Sequence, residues 1–196
     1  MIMMVPVLIR QGMYKIMRVN VYYLVDASEN MIGNRIGTVD AAMEDIPILF
    51  REIEHETDSH VYLKIMKYNT WAQWQTPELT PLDDFIWNDI QAGGKAELGA
   101  ALNLLGTELI ENNSIDFSII FLLGSETPTD DYEEVIDKLY MMDKFQMSVR
   151  IVVNIESEFP YEIAYKFTGN KDNVMNAKDS YALKKKIIDA INATKE

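Results

Sequence analysis

The chain has 196 residues, 48% hydrophobic and 25% charged, enough for one soluble domain with a continuous core and too few for two of ordinary size. Its 31 acidic residues against 18 basic ones leave a net charge of −13, which sets the surface against phosphate backbones and anionic headgroups, so neither nucleic acid nor membrane is an expected partner. The absence of cysteine excludes disulfides, thiolate zinc sites and thiol catalysis, in keeping with a reducing cytoplasm.

Residues 1–18 read as an extension ahead of a domain spanning 19–196. Met1 to Ile9 is an apolar run closed by Arg10, too short to cross a bilayer and without the basic start and small-residue cleavage site of a signal peptide, so a cytoplasmic location is expected. Two readings of this extension stay open. It is a tail upstream of a start at Met13 or Met17, or it is an extra edge strand or docking segment, with Pro6 opposing a central strand and the aliphatic residues around it favouring extended chain.

Val19 to Val25 (VNVYYLV) is a continuous β-prone run ending at Asp26, the pattern of a strand buried on both faces. From Gly33 to Ile53, apolar residues at 36, 39, 43, 46, 50 and 53 draw one helical stripe, and Pro47 predicts a kink or break near Asp45. His55 and His60 flank a polar stretch with no matching carboxylate cluster and read as a solvated loop rather than a metal site. His60 to Tyr68 and Trp71 to Thr76 alternate around Asn69-Thr70 and predict a hairpin, hence one antiparallel strand on an otherwise parallel sheet.

A polar loop from Pro77 to Gly94 follows, with Phe85 and Trp87 exposed in aspect. Leu98 to Leu109 predicts a helix, Phe117 to Leu123 (FSIIFLL) a buried strand, and Pro128 to Phe145 a single helix with Val135, Ile136, Leu139 and Met142 inward. The acids at 130, 131, 133 and 134 suit the positive end of that helix. Ser148 to Asn154 predicts a strand, Ile163 to Phe167 a short strand, and Ser180 to Ile191 a closing helix. Strands alternating with helices give an α/β, doubly wound, Rossmann-like and mostly parallel sheet, with helices on both faces and its binding site at the carboxyl ends of the strands.

Three loops belong to that edge: Asp26 to Asn30 (DASEN), Gly93 to Leu98 (GGKAEL) and Gly124 to Asp131 (GSETPTDD). Around them TPLDDF (80–85), AGGKAELGAALNLL (92–105) and LLGSETPTDDY (122–132) stand in order. At these residues, and from about Val19 onward, the chain resembles the von Willebrand factor A (VWA) family. It is most similar to the small stand-alone bacterial members found with tellurite-resistance and stress clusters.

The resemblance implies a metal-ion-dependent adhesion site (MIDAS) built from a DxSxS loop, a threonine and an aspartate. Asp26 and Ser28 match the first two positions, and Asn30 takes the third with an amide oxygen that still suits a hard cation. Ala96 stands at the threonine, without an oxygen, and Ser125 at the aspartate, without charge. Glu97 and Glu126 lie one residue from the missing groups. Mg²⁺ or Mn²⁺ wants near-octahedral oxygen ligands and usually one or two carboxylates, so a degenerate site with weakened or lost metal binding is expected. If an ion binds, its ligands come from Asp26, Ser28, Asn30 and Ser125.

The expected function is therefore non-catalytic binding of a protein partner at this edge, in a bacterial stress-response, signalling or phosphorelay assembly. Trp71, Trp74, Phe85, Trp87 and Tyr132 are candidate contact aromatics, Trp74 being read as core and Trp87 as surface. The alternatives are a divalent-ion-linked adhesion domain and a Rossmann-like enzyme. The second lacks support, because Gly93-Gly94-Lys95 runs into Ala96 rather than completing a phosphate loop, and no GxSxG is present.

Overall fold

A computed structural model of the chain describes residues 17–112, 116–125, 127–156 and 160–193. The first strand, β1 (Met17–Asp26), is buried on both faces from Val19 on, as its unbroken apolar run requires. It pairs in parallel with β2 (Ser59–Tyr68) on one side and β5 (Phe117–Gly124) on the other. β6 (Val149–Ile155) and β7 (Val174–Ala177) extend the sheet beyond β5, again in parallel. On the far edge β3 (Ala72–Trp74) turns back antiparallel to β2, as the alternation around Asn69-Thr70 predicts. The two-residue β4 (Thr80–Pro81) pairs antiparallel with β2 as well. The order β3-β2-β1-β5-β6-β7 makes β1 and β5 the place where the chain reverses its direction of travel across the sheet.

The long central strands feed two cores through their alternation. Val21, Tyr23 and Val25 of β1 face one side, with α1 (Asn34–Met43), α2 (Ile46–Thr57) and α7 (Ser180–Ala193). Tyr22 and Leu24 face the other, with α3 (Leu98–Glu111), α4 (Tyr132–Leu139), α5 (Asp143–Met147) and α6 (Tyr161–Thr168). Each buried Val, Leu, Ile or Phe on these faces contributes about 1.5–3 kcal/mol of transfer free energy. The expected Rossmann-like layering with helices on both faces is what the chain adopts.

The break expected near Asp45 is present, and Pro47 sits in the opening turn of α2, where its missing N–H costs no helical bond. Four expectations are corrected. Ile163 to Phe167 is helical, within α6: Ile163, Ala164 and Phe167 share its buried face, Pro160 precedes its first turn and Gly169 closes it at φ 67°. Pro128 to Phe145 is two helices, because Met142 between α4 and α5 is extended at φ −96°, ψ 123°.

His55 belongs to the last turn of α2 rather than to a loop, while His60 lies in β2, in the strand predicted from His60 to Tyr68, and both are exposed. Phe85 and Trp87 are not surface residues. Phe85 is buried, and the half-buried Trp87 donates its Nε1–H to Asp40 Oδ1 at 3.1 Å. Trp74 does pack on its core, its ring centroid 6.3 Å from that of Tyr22. Of the extension read over 1–18, Met17 and Arg18 are the first residues of β1, and residues 1–16, with their reading as tail, edge strand or docking segment, lie outside the described residues.

Candidate functional site

The carboxyl ends of β1 and β5 meet at the switch point of the sheet, the position where open α/β sheets bind ligands. Asp26 closes β1 and is fully buried. Its Oδ1 accepts the amide of Ser28 at 2.8 Å, an Asx-type turn that aims the chain off the strand, and its Oδ2 accepts the amide of Ser125 at 3.4 Å. One carboxylate thereby joins the first and third loops. The first loop is held to the second by backbone bonds, Glu29 N to Gly94 O at 2.9 Å and Gly93 N to Ala27 O at 2.8 Å. The second is held to the third where Thr129 donates its amide to Ala96 O at 2.8 Å.

Of the residues expected at the site, Asp26, Ser28, Ala96 and Ser125 are brought together and buried. Asn30 and Glu97 are placed differently. Asn30 is exposed, its carbonyl accepting Arg35 Nη1 at 2.9 Å, and Glu97 is the half-buried residue ahead of α3, its amide donating to Asn69 O at 3.1 Å. Glu126 lies outside the described residues. Ser28 Oγ is buried and has no hydrogen-bond partner among the described residues.

The donor set among the described residues is a single buried carboxylate, two serine hydroxyls, and an alanine methyl in place of an oxygen. Among the described residues no three His, Cys, Asp or Glu converge as a cation cluster. Asp26 is the one carboxylate this set offers a hard dication, and each of its oxygens also accepts a backbone amide.

Other contributors were not singled out from the sequence. Asn69 bridges the hairpin and the second loop, donating Nδ2–H to Gly93 O at 2.9 Å. Tyr68, beside Asp26 in the β1–β2 register, is buried with its phenol pushed well up, first by burial and then by the charges of Asp26 and Asp130.

Glu133 and Glu134 stand in the first turn of α4, as the reading of the acidic cluster has it, but Asp130 serves a different helix. Its two oxygens accept the amides of Gly99 and Ala100, each at 3.0 Å, and so close the start of α3, a helix 30 residues earlier. Gly99 permits this, because a Cβ there would stand 2.8 Å from Asp130 Oδ2. Asp130→Ala is expected to lower stability by about 1–2 kcal/mol in urea melts, with Asp130→Asn losing less. Equal stability of wild type and Asp130→Ala would show that the start of α3 needs no cap.

No protein-family model matches the sequence, and no curated protein matches it. Solved structures do. Proximal thread matrix protein 1 from mussel byssus, in a structure with a zinc-occupied MIDAS motif, matches with a TM-score of 0.66 at 13% identity, over 91% of this chain and 46% of that one. A von Willebrand factor type A protein from Catenulispora acidiphila matches at TM-score 0.62 and 16% identity, over 91% and 42%. The ArnB paralog VWA2 from Sulfolobus acidocaldarius matches at 0.65 and 15%, over 87% and 44%. This chain spans less than half the length of each of the three. With the strand order and the two helical layers, these likenesses define the class: the chain has the fold of VWA domains.

Proposed function

We propose that this chain is a non-catalytic protein-binding module whose ligand edge, the rim formed by the three loops, works without a divalent ion. The observation that carries the reading is the bonding of Asp26: both carboxylate oxygens accept backbone amides, and the loop opposite supplies Ala96 rather than an oxygen. Recognition then depends on the shape and hydrogen bonds of a rim whose exposed residues include Glu29, Asn30, Lys95, Thr127 and Thr129. Of the candidate aromatics only Trp71, 65% exposed, stands fully open beside it, in the turn after Tyr68.

A non-catalytic role is supported by where the bases lie. His60 stands at the other end of β2 from Tyr68, roughly 26 Å away at 3.3 Å per residue, and His55, in the last turn of α2, leads into that same far end of β2, so neither serine of the rim has a histidine to activate it. The proposed setting, a cytoplasmic bacterial stress or signalling assembly with a protein partner from a phosphorelay or stress cluster, rests on the TPLDDF, AGGKAELGAALNLL and LLGSETPTDDY segments.

One observation favours the second reading, an adhesion site linked to a divalent ion through substituted ligands. Ser28 Oγ is buried with no described partner, as an ion's ligand would be before the ion enters, and the mussel protein's MIDAS motif holds zinc. Thermal melts in Mg²⁺, Mn²⁺ or Zn²⁺ against EDTA separate the two. A ligand at 100 times its Kd adds about 2.7 kcal/mol, which for a domain of this size raises Tm by roughly 5–10 °C. The proposal expects no shift. An upward shift that vanishes in Asp26→Ala establishes the ion-linked site instead.

A further inference from the structure

At the opposite end of the sheet, the amino-terminal ends of β1, β2 and β5 leave an apolar groove beneath the helices that cover them. Met17, Val19, Phe50, Ile53, Phe117 and Ile191 line a groove between the sheet, α2 and α7, with a cavity of about 100 Å³ and almost no polar lining. Such a wall excludes charged and hydrated ligands and accepts an aliphatic side chain. Met17, at 48% exposed, is both the first described residue and part of the groove's rim.

We propose that the groove is filled in cis by the apolar run Met1 to Ile9, which folds back over the mouth of the core and seats one of its aliphatic side chains in the cavity. Three facts favour this occupant. The run enters the domain at the groove itself, since the chain emerges there at Met17. Residues 10–16 separate the two, and at about 3.3 Å per extended residue they are long enough to reverse direction and bring the run back.

Charge agrees as well. Residues 1–16 contain Arg10 and Lys15 and no acid, so all 31 acids lie in the remainder, and α2 beside the groove exposes Glu52 and Glu56. A segment of opposite charge is drawn to that face, whereas a second copy of this acidic domain is repelled from it.

The absence of cysteine allows a direct test in the full chain. Thr57, half-buried at the groove, is replaced by Cys and its alkylation by a maleimide is followed. Seating of the run is expected to slow alkylation about tenfold relative to the same protein carrying Val7→Asp and Leu8→Asp, a factor equivalent to about 1.4 kcal/mol of closure. Deleting residues 1–15 should give the same acceleration, and a peptide of residues 1–16 added in trans should reverse it. Both Asp substitutions sit in the extension, so circular dichroism of that variant distinguishes release of the run from loss of fold. Equal rates in the wild-type and Val7→Asp/Leu8→Asp backgrounds overturn the proposal. Protection that falls on dilution also overturns it, because it assigns the groove to a second copy.

Discussion

Glu108→Ala is expected to destabilise the domain by about 3–5 kcal/mol, the cost of leaving one member of a buried ion pair without the other. Lys64, on the α3 side of β2, meets Glu108 Oε2 at 2.6 Å with side-chain exposures of 7% and 12%, so little solvent remains to screen an orphaned ammonium. Its only other charge-compensating contact among the described residues is the face of Trp74, whose centroid is 4.6 Å from Nζ. A cation–π contact contributes about 0.5–2 kcal/mol, less than the lost bond.

The double variant Lys64→Met/Glu108→Leu removes both charges and should recover most or all of the loss, as apolar replacements of buried pairs do. Urea titrations of the four proteins, read as a double-mutant cycle, test this. A single-variant cost below 1 kcal/mol would mean that water reaches the pair. The consequence extends to the rim, because the pair clips α3 to the sheet and α3 begins at the loop carrying Ala96.

The contrast between what sequence reading placed and what it missed follows from the range of the interactions involved. β1, β5 and β6 were legible because strands buried on both faces need unbroken apolar runs, and VNVYYLV, FSIIFLL and SVRIVVN have no competing period. The five residues Ile163 to Phe167 are too few for period alone to separate strand from helix. The decisive signals were the flanking Pro160 and Gly169. β7 carries only Val174, Met175, Asn176 and Ala177 and is a strand because β6 offers it a parallel ladder.

At the site the same distinction holds. Asp26, Ser28 and Ser125 could be placed together because the ends of β1 and β5 converge on one sheet edge, whereas Ala96, at the opening of α3, was placed with them through the resemblance to VWA domains. The reach of Asp130 to α3 crosses 30 residues and is written in no local pattern, so the nearer helix claimed it. Trp87 was misplaced for a similar reason, its partner Asp40 standing 47 residues away on α1.

Asp26→Ala should lower stability by about 2–4 kcal/mol, by the same amount in Mg²⁺ and in EDTA. The substitution removes the acceptor of the Ser28 and Ser125 amides in a buried setting, and each buried donor left unpaired costs about 1–3 kcal/mol. Relief from burying a carboxylate offsets part of that. For a domain of this size the net loss is roughly 5–15 °C in Tm. Asp26→Asn keeps one oxygen and turns an amide group toward the other donor, so it should fall between wild type and Asp26→Ala.

Tyr68 supplies an independent readout. Its phenol is held up by burial and then by the negative charges of Asp26 and Asp130, so removing one charge favours the phenolate and lowers the alkaline midpoint of the tyrosine absorbance change. A ligand role predicts the opposite pattern in the melts. If Asp26 chiefly held an ion, Asp26→Ala would cost little in EDTA and forfeit only the stabilisation that Mg²⁺ or Mn²⁺ adds. A loss independent of the ion, with a lowered Tyr68 midpoint, identifies Asp26 as the bracket that joins the first and third loops of the binding rim.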